Sequence, residues 1–124
     1  MTIRERPTIL LIEDDRATRE MFDYALRMDG FAVLVASDGL GALRLIEQGL
    51  PDLIVLDLDL PHVSGIDVQQ EMMAHGETRA IPVVVVTGTD GKTPEGVFQV
   101  LRKPITPDVL LNVIRKALSP QDET

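Results

Sequence analysis

A chain of 124 residues with 44% apolar side chains is long enough to bury one core and too short for two, so a single domain over residues 1–124 is expected. Twenty acidic against twelve basic side chains leave a formal net charge of −8, which argues against direct contact with nucleic acid or an anionic membrane. The absence of cysteine removes disulfides, thiolate metal sites and thiol nucleophiles, leaving carboxylates, hydroxyls, amines and two histidines to carry any chemistry.

The opening MTIRERP is charged and lacks the apolar stretch of a secretory leader, and no apolar run approaches the roughly 18 residues of a membrane span. With the missing cysteines this predicts a soluble, unprocessed, cytoplasmic protein. The first strand is predicted at Ile9–Ile12, followed by a helix over Arg16–Met28 with Met21, Phe22, Ala25 and Leu26 on one face and Asp29-Gly30 as its stop. A second strand is predicted at Phe31–Val35. Ser37 or Asp38 then caps a helix carrying Leu43 and Ile46 up to Gly49. The third strand is Leu53–Leu56, and Ser64 caps a helix with Val68 and Met72 up to Gly76. Val83–Val86 is the fourth strand.

Only 15 residues separate Thr87 from Lys103, and the stretch from Thr89 to Gly96 is rich in turn formers, with Gly91, Pro94 and Gly96 opposing a long helix. An irregular loop with a turn near Pro94 is expected there, then a weak fifth strand at Phe98–Leu101. Thr106-Pro107 opens the last helix, where Leu110, Val113, Ile114 and Ala117 form a stripe ending before Pro120.

Near-continuous hydrophobic strands suit a parallel sheet buried on both faces. Their alternation with helices predicts an α/β, three-layer, doubly wound fold of five parallel strands in the flavodoxin-like order 2-1-3-4-5, with the helix after the fourth strand short or absent. In that order the topological switch falls between the first and third strands, so a site is expected beyond their carboxyl ends.

Acidic residues stand on both sides of that crevice: Glu13-Asp14-Asp15 after the first strand and Asp57-Leu58-Asp59 after the third. Clustered carboxylates raise each other's pKa or repel unless a cation neutralises them, and oxygen-only donors suit Mg²⁺ rather than zinc. The fourth strand delivers Thr87 to the same rim, and the segment before Pro104 delivers Lys103. A carboxylate nucleophile with a metal ion and a cation to absorb charge on the equatorial oxygens is the equipment of phosphoryl transfer, with Asp57 the nucleophile and Thr87 placed to donate to a phosphoryl oxygen.

The blocks LLIEDD, PDLIVLDLDLPHVSGIDV, IPVVVVTG and LRKP, in this order and covering nearly the whole chain, resemble the signature blocks of response-regulator receiver domains. The resemblance implies that Asp57 is the phosphorylated aspartate, Thr87 the switch hydroxyl and Lys103 the family's lysine. It further implies that Asp14 and Asp57 ligate Mg²⁺ directly, Glu13 acts on the metal through water, and Asp59 offers its backbone carbonyl. Pro61 and Gly65 match the loop after the third strand, and Lys103-Pro104 is a candidate cis peptide. By the same resemblance the chain is a phosphoacceptor in a two-component phosphorelay, receiving its phosphoryl group from a histidine kinase or phosphotransfer protein and catalysing only its own phosphorylation and dephosphorylation. Its target protein stays unnamed, a homodimer is compatible with it, and with only Gln121–Thr124 beyond the last helix no effector domain is expected.

Two departures stand out. The helix between Thr87 and Lys103 is lost, and Val100 occupies the position three before the lysine where most family members carry Tyr or Phe; Phe98, two residues earlier, lies on the same strand face. Two rival readings follow. Asp57-Leu58-Asp59 resembles the nucleophile and acid of haloacid dehalogenase-like phosphatases, although that family places its nucleophile on the first strand and this reading leaves Glu13-Asp14 unexplained. A degenerate receiver acting only as a binding module is the other. His62, His75 and the methionines are assigned no role, and the glycine fingerprint of a dinucleotide site is absent.

Overall fold

The computed structural model describes residues 6–61, 63–88 and 93–119. Ten elements follow in order: β1 (Thr8–Ile12), α1 (Arg16–Met28), β2 (Ala32–Ala36), α2 (Gly39–Gln48), β3 (Leu53–Asp57), α3 (Gly65–Met73), α4 (Gly76–Arg79), β4 (Val83–Thr87), β5 (Gln99–Arg102) and α5 (Pro107–Leu118). All strand pairings are parallel and the order is β2-β1-β3-β4-β5, as the sequence predicts.

Strand alternation sorts the core into two layers. Ile9, Leu11, Leu53, Val55, Val84 and Val86 pack with Phe22, Leu26, Leu110 and Ile114 of α1 and α5. Leu10, Ile12, Ile54, Leu56, Val83 and Val85 point the other way, onto Ala42 and Ile46 of α2 and Val68 and Met72 of α3. A strand that must satisfy both faces has no place for a polar residue until it ends, which is why the runs read as unbroken hydrophobics.

Capping fixes the helix starts. Asp15 accepts from the Thr18 N–H, Asp38 from Gly41 and Ser64 from Asp67, while Pro107 stands at the start of α5. Gly30, at φ +95, ends the turn after α1 in the left-handed region.

The third helix departs from its expected end at Gly76. It stops at Met73, and the chain turns through Ala74 and His75 into the four-residue α4. The Thr78 hydroxyl donates to the carbonyls of Met72 and His75, so the interrupted helix end keeps its acceptors satisfied. Between β4 and β5, residues 89–92 of the expected irregular loop lie outside the described residues. Residues 93–98 contain no helix and turn at Glu95–Gly96, with Gly96 at φ +78. β5 begins one residue later than expected, and of its four residues only Leu101 is buried. Among the described residues no helix is long and apolar enough to cross a membrane.

Candidate functional site

The carboxyl ends of β1, β3 and β4 converge on one rim. Glu13 follows β1, and its N–H donates to the Ala36 carbonyl at 3.0 Å, extending the ladder to β2 by one residue and drawing a carboxylate side chain inside, to 2% exposure. The next two residues leave the sheet. Asp14 is exposed, and Asp15 turns to cap α1, where the Thr18 hydroxyl and then its N–H hold the Asp15 carboxyl below its ordinary value.

One side chain fastens this turn. The Arg19 guanidinium, one turn into α1, donates from Nη1 to the carbonyls of both Glu13 and Asp14 at 3.1 Å each. The Asp15 N–H in turn donates to Glu13 Oε2 at 3.1 Å, which orients that carboxylate.

Asp57 ends β3 at 2% exposure, and the Asp59 N–H donates to its Oδ1 at 3.0 Å. Gly65 packs directly beneath. A Cβ there would stand 2.5 Å from both the Asp57 carbonyl oxygen and Leu58 Cα, so only glycine lets α3 start this close to the strand end. On β4, Val86 is the register partner of Asp57, and Thr87 follows it, fully buried. The Thr87 carbonyl accepts the Lys103 N–H at 2.8 Å, and the Lys103–Pro104 peptide is cis, as expected.

Lys103 Nζ lies 2.8 Å from Glu13 Oε1 and 3.7 Å from Asp57 Oδ2, so the ammonium leans toward Glu13 while facing both acids. Burial works against the charged lysine, but its hydrogen bond to Glu13 and the charges of Asp57, Glu13 and Asp14 outweigh it and raise its pKa. For Asp57 burial dominates. Despite the Asp59 N–H and the Lys103 charge, desolvation with the neighbouring Glu13 pushes its carboxyl up to about 7.

Carboxylate oxygens of Glu13, Asp14 and Asp57 lie within 4.8 Å of one another. Three hard oxygen donors around one point, with an uneasy buried charge among them, fit a divalent ion of the Mg²⁺ type. Asp59 brings its backbone N–H to Asp57, and among the described residues its carboxylate stays outside this cluster. The expected residues Glu13, Asp14, Asp57 and Lys103 are therefore brought together, with Thr87 one residue beyond the register partner of Asp57. Arg19 was not singled out from the sequence. Its signal was there: an arginine one helical turn beyond an acidic pair can reach back to that loop's carbonyls.

The sequence matches the family described as the response regulator receiver domain over residues 9–115. The chain belongs to the response regulator receiver domain family. This receiver domain is 33% identical over 116 residues to the response regulator MprA of Mycobacterium leprae, covering 89% of the chain and 50% of that protein. The chain thus spans about half the length of the curated relatives it matches. Among solved structures it is similar to the chemotaxis response regulator CheY4 of Vibrio cholerae, with a TM-score of 0.83 at 24% identity over 91% of this chain and 99% of that one, a likeness of fold. It also resembles the receiver domain of a sensor histidine kinase from Pseudomonas aeruginosa PAO1, with a TM-score of 0.82 at 26% identity over 90% of this chain and 96% of that one; that structure has a magnesium ion coordinated in its active site cleft.

Proposed function

We propose that this receiver domain is a Mg²⁺-dependent phosphoacceptor switch in which Asp57 takes up the phosphoryl group. The observation that carries the reading is the Asp57 carboxylate itself: buried at the switch-point strand end, with Glu13 and Asp14 on one side and Lys103 within 3.7 Å. An Asp57 oxygen attacks the phosphorus of the donor, the bond from phosphorus to the donor atom breaks, and its electron pair leaves with the donor; with a histidine kinase or phosphotransfer protein that donor atom is an imidazole nitrogen. A carboxylate with its pKa near neutrality must be ionised to attack, and neighbouring positive charge favours that form.

Asp14 and Asp57 would hold Mg²⁺ directly, with Glu13 behind them and Asp59 contributing a backbone oxygen. The ion supplies charge neutralisation for the carboxylates and for the phosphoryl oxygens. Lys103 pairs with the acids before reaction and is placed to pair with a phosphoryl oxygen afterwards, and Thr87 offers its hydroxyl from the adjacent strand end. The chain catalyses only its own phosphorylation and dephosphorylation, and its output passes through protein contacts.

The test is incubation with a small acyl phosphate and Mg²⁺, read by intact mass and by phosphate release. A single acid-stable, base-labile phosphoryl addition that disappears in Asp57→Asn is expected. Steady turnover of phosphate without an adduct supports a phosphatase, and no reaction at all supports a receiver acting only as a binding module.

A further inference from the structure

We propose that the groove between the carboxyl-terminal ends of α2 and α3 is a docking site for a basic amphipathic segment of a partner protein. This groove lies at the end of the sheet opposite Asp57, since Leu50 and Thr78, which line it, lead into β3 and β4. It encloses about 470 Å³, room for one or two large side chains. Its floor is apolar, formed by Leu43, Ile46, Leu50 and Met72, and Leu50 is left 49% exposed.

Around this floor stand Glu47, Glu71 and Glu77, and among the described residues no lysine or arginine lines the groove. His75 is the one basic side chain among the described residues that line it, and it is already held by Glu71 at 3.0 Å. A second observation points the same way. Helix carboxyl ends carry partial negative charge, which α1 answers with Arg27 and α5 with Arg115 and Lys116 in their last turns. α2 and α3 have no basic residue in their last turns, and α2 adds Glu47 to its own negative end. Arg79 closes the short α4 and Arg44 lies earlier on α2, but neither lines the groove.

Three glutamates and two helix ends that carry no basic residue in their last turns, set around an apolar floor, leave a field that an incoming cation satisfies. An occupant that inserts an aliphatic or aromatic anchor and brackets it with lysine or arginine complements both parts. An acidic segment or an anionic membrane would be repelled by the same charges. The groove is separate from the phosphoacceptor site, and the proposal stands independently of that site's chemistry.

The experiment is an NMR titration of the labelled protein with a helical Lys/Leu peptide of about four turns, alongside a Glu/Leu peptide of the same pattern. Shift changes centred on Leu43, Leu50, Met72 and Thr78 are expected with the first peptide only. The double variant Glu47→Lys/Glu71→Lys should weaken binding by roughly tenfold, and it places lysines where helix ends favour them, so folding is preserved. Leu50→Ala should weaken it by about threefold through lost apolar contact. Glu20→Lys/Asp108→Lys, which changes net charge equally on other faces, should leave affinity within about twofold. Equal losses in the two double variants, shifts spread over the acidic surface without the floor residues, or equal binding of the Glu/Leu peptide would overturn the proposal.

Discussion

β3 and β4 are buried along their whole length and β1 along all but its first residue, whereas β5 buries only Leu101 and receives no helix from the described part of the segment before it. The difference divides the chemistry. Carboxylates can be desolvated only where strands are covered on both faces, so Glu13 and Asp57 continue the closed half. The cation arrives from the thin edge, on the loop that joins β5 to α5. The strand end at Asp57 is therefore expected to be the rigid part of the domain and β5 the yielding part, since sparsely covered elements open at lower free energy than core strands.

The largest expected effect breaks the closed half directly. Asp57→Asn should abolish phosphoryl incorporation in the intact-mass assay, whereas Val100→Ala on β5 should leave the yield within about threefold, because it only loosens packing of the edge strand. An unchanged adduct in Asp57→Asn would move the nucleophile elsewhere.

Stability should follow the same division. Leu56→Ala, in the fully buried end of β3, is expected to cost about 2–5 kcal/mol in urea unfolding. Val100→Ala on the partly covered edge is expected to cost about 1 kcal/mol. Equal losses would show that β5 is as tightly held as the centre.

Within the acidic loop the contrast is between neighbours. Asp14→Asn should weaken Mg²⁺ binding by about tenfold or more. Asp15→Asn should change it by less than about twofold, because Asp15 spends its carboxylate on the cap of α1 and asparagine caps as well. Comparable effects in a Mg²⁺ titration would mean that Asp15 shares the site.

The smallest effect is a pH dependence. The Asp57 pKa is about 7 in the folded chain against 3.8 ordinarily, so between these values the folded state keeps a proton that the unfolded chain has lost. The stability contributed by this group therefore falls as pH rises through that window. Without divalent ions, Asp57→Asn should match the parent Tm near pH 4 and exceed it at pH 8. Millimolar Mg²⁺ should narrow the gap by stabilising the parent. A Tm difference constant from pH 4 to pH 8 would show that burial of the Asp57 charge is not its origin.

Most of the fold was legible before any coordinates because its signals are local. Hydrophobic runs bounded by turn residues mark buried strands wherever they pair, Asp38 and Ser64 mark helix starts through bonds that span a few residues, and Pro107 marks the start of α5 through its fixed φ, since Thr106 makes no side-chain cap bond. The third helix was misjudged because its end depends on Thr78 reaching back to the Met72 and His75 carbonyls, a bond that periodicity does not encode. Phe98 shares a strand-period face with Val100, yet it lies outside β5 and is 43% exposed, since no helix in the described segment covers that edge.

For the site, the sequence by itself determined which residue types stand at the strand ends, because each strand must be apolar until it leaves the core and the next residue is the first free to be charged. Residue order also placed Glu13, Asp14, Asp57, Thr87 and Lys103 on one rim once the strand order was known. Only the tertiary structure decided how those groups divide: Lys103 closer to Glu13 than to Asp57, Arg19 binding two successive carbonyls, and Asp57 desolvated enough to titrate near neutrality. It alone also brought the ends of α2 and α3, which carry no basic residue in their last turns, together around an apolar floor. The physical reason is range. Propensity, capping and strand period act over a few residues, whereas burial and charge pairing depend on which distant segments the packed sheet makes neighbours.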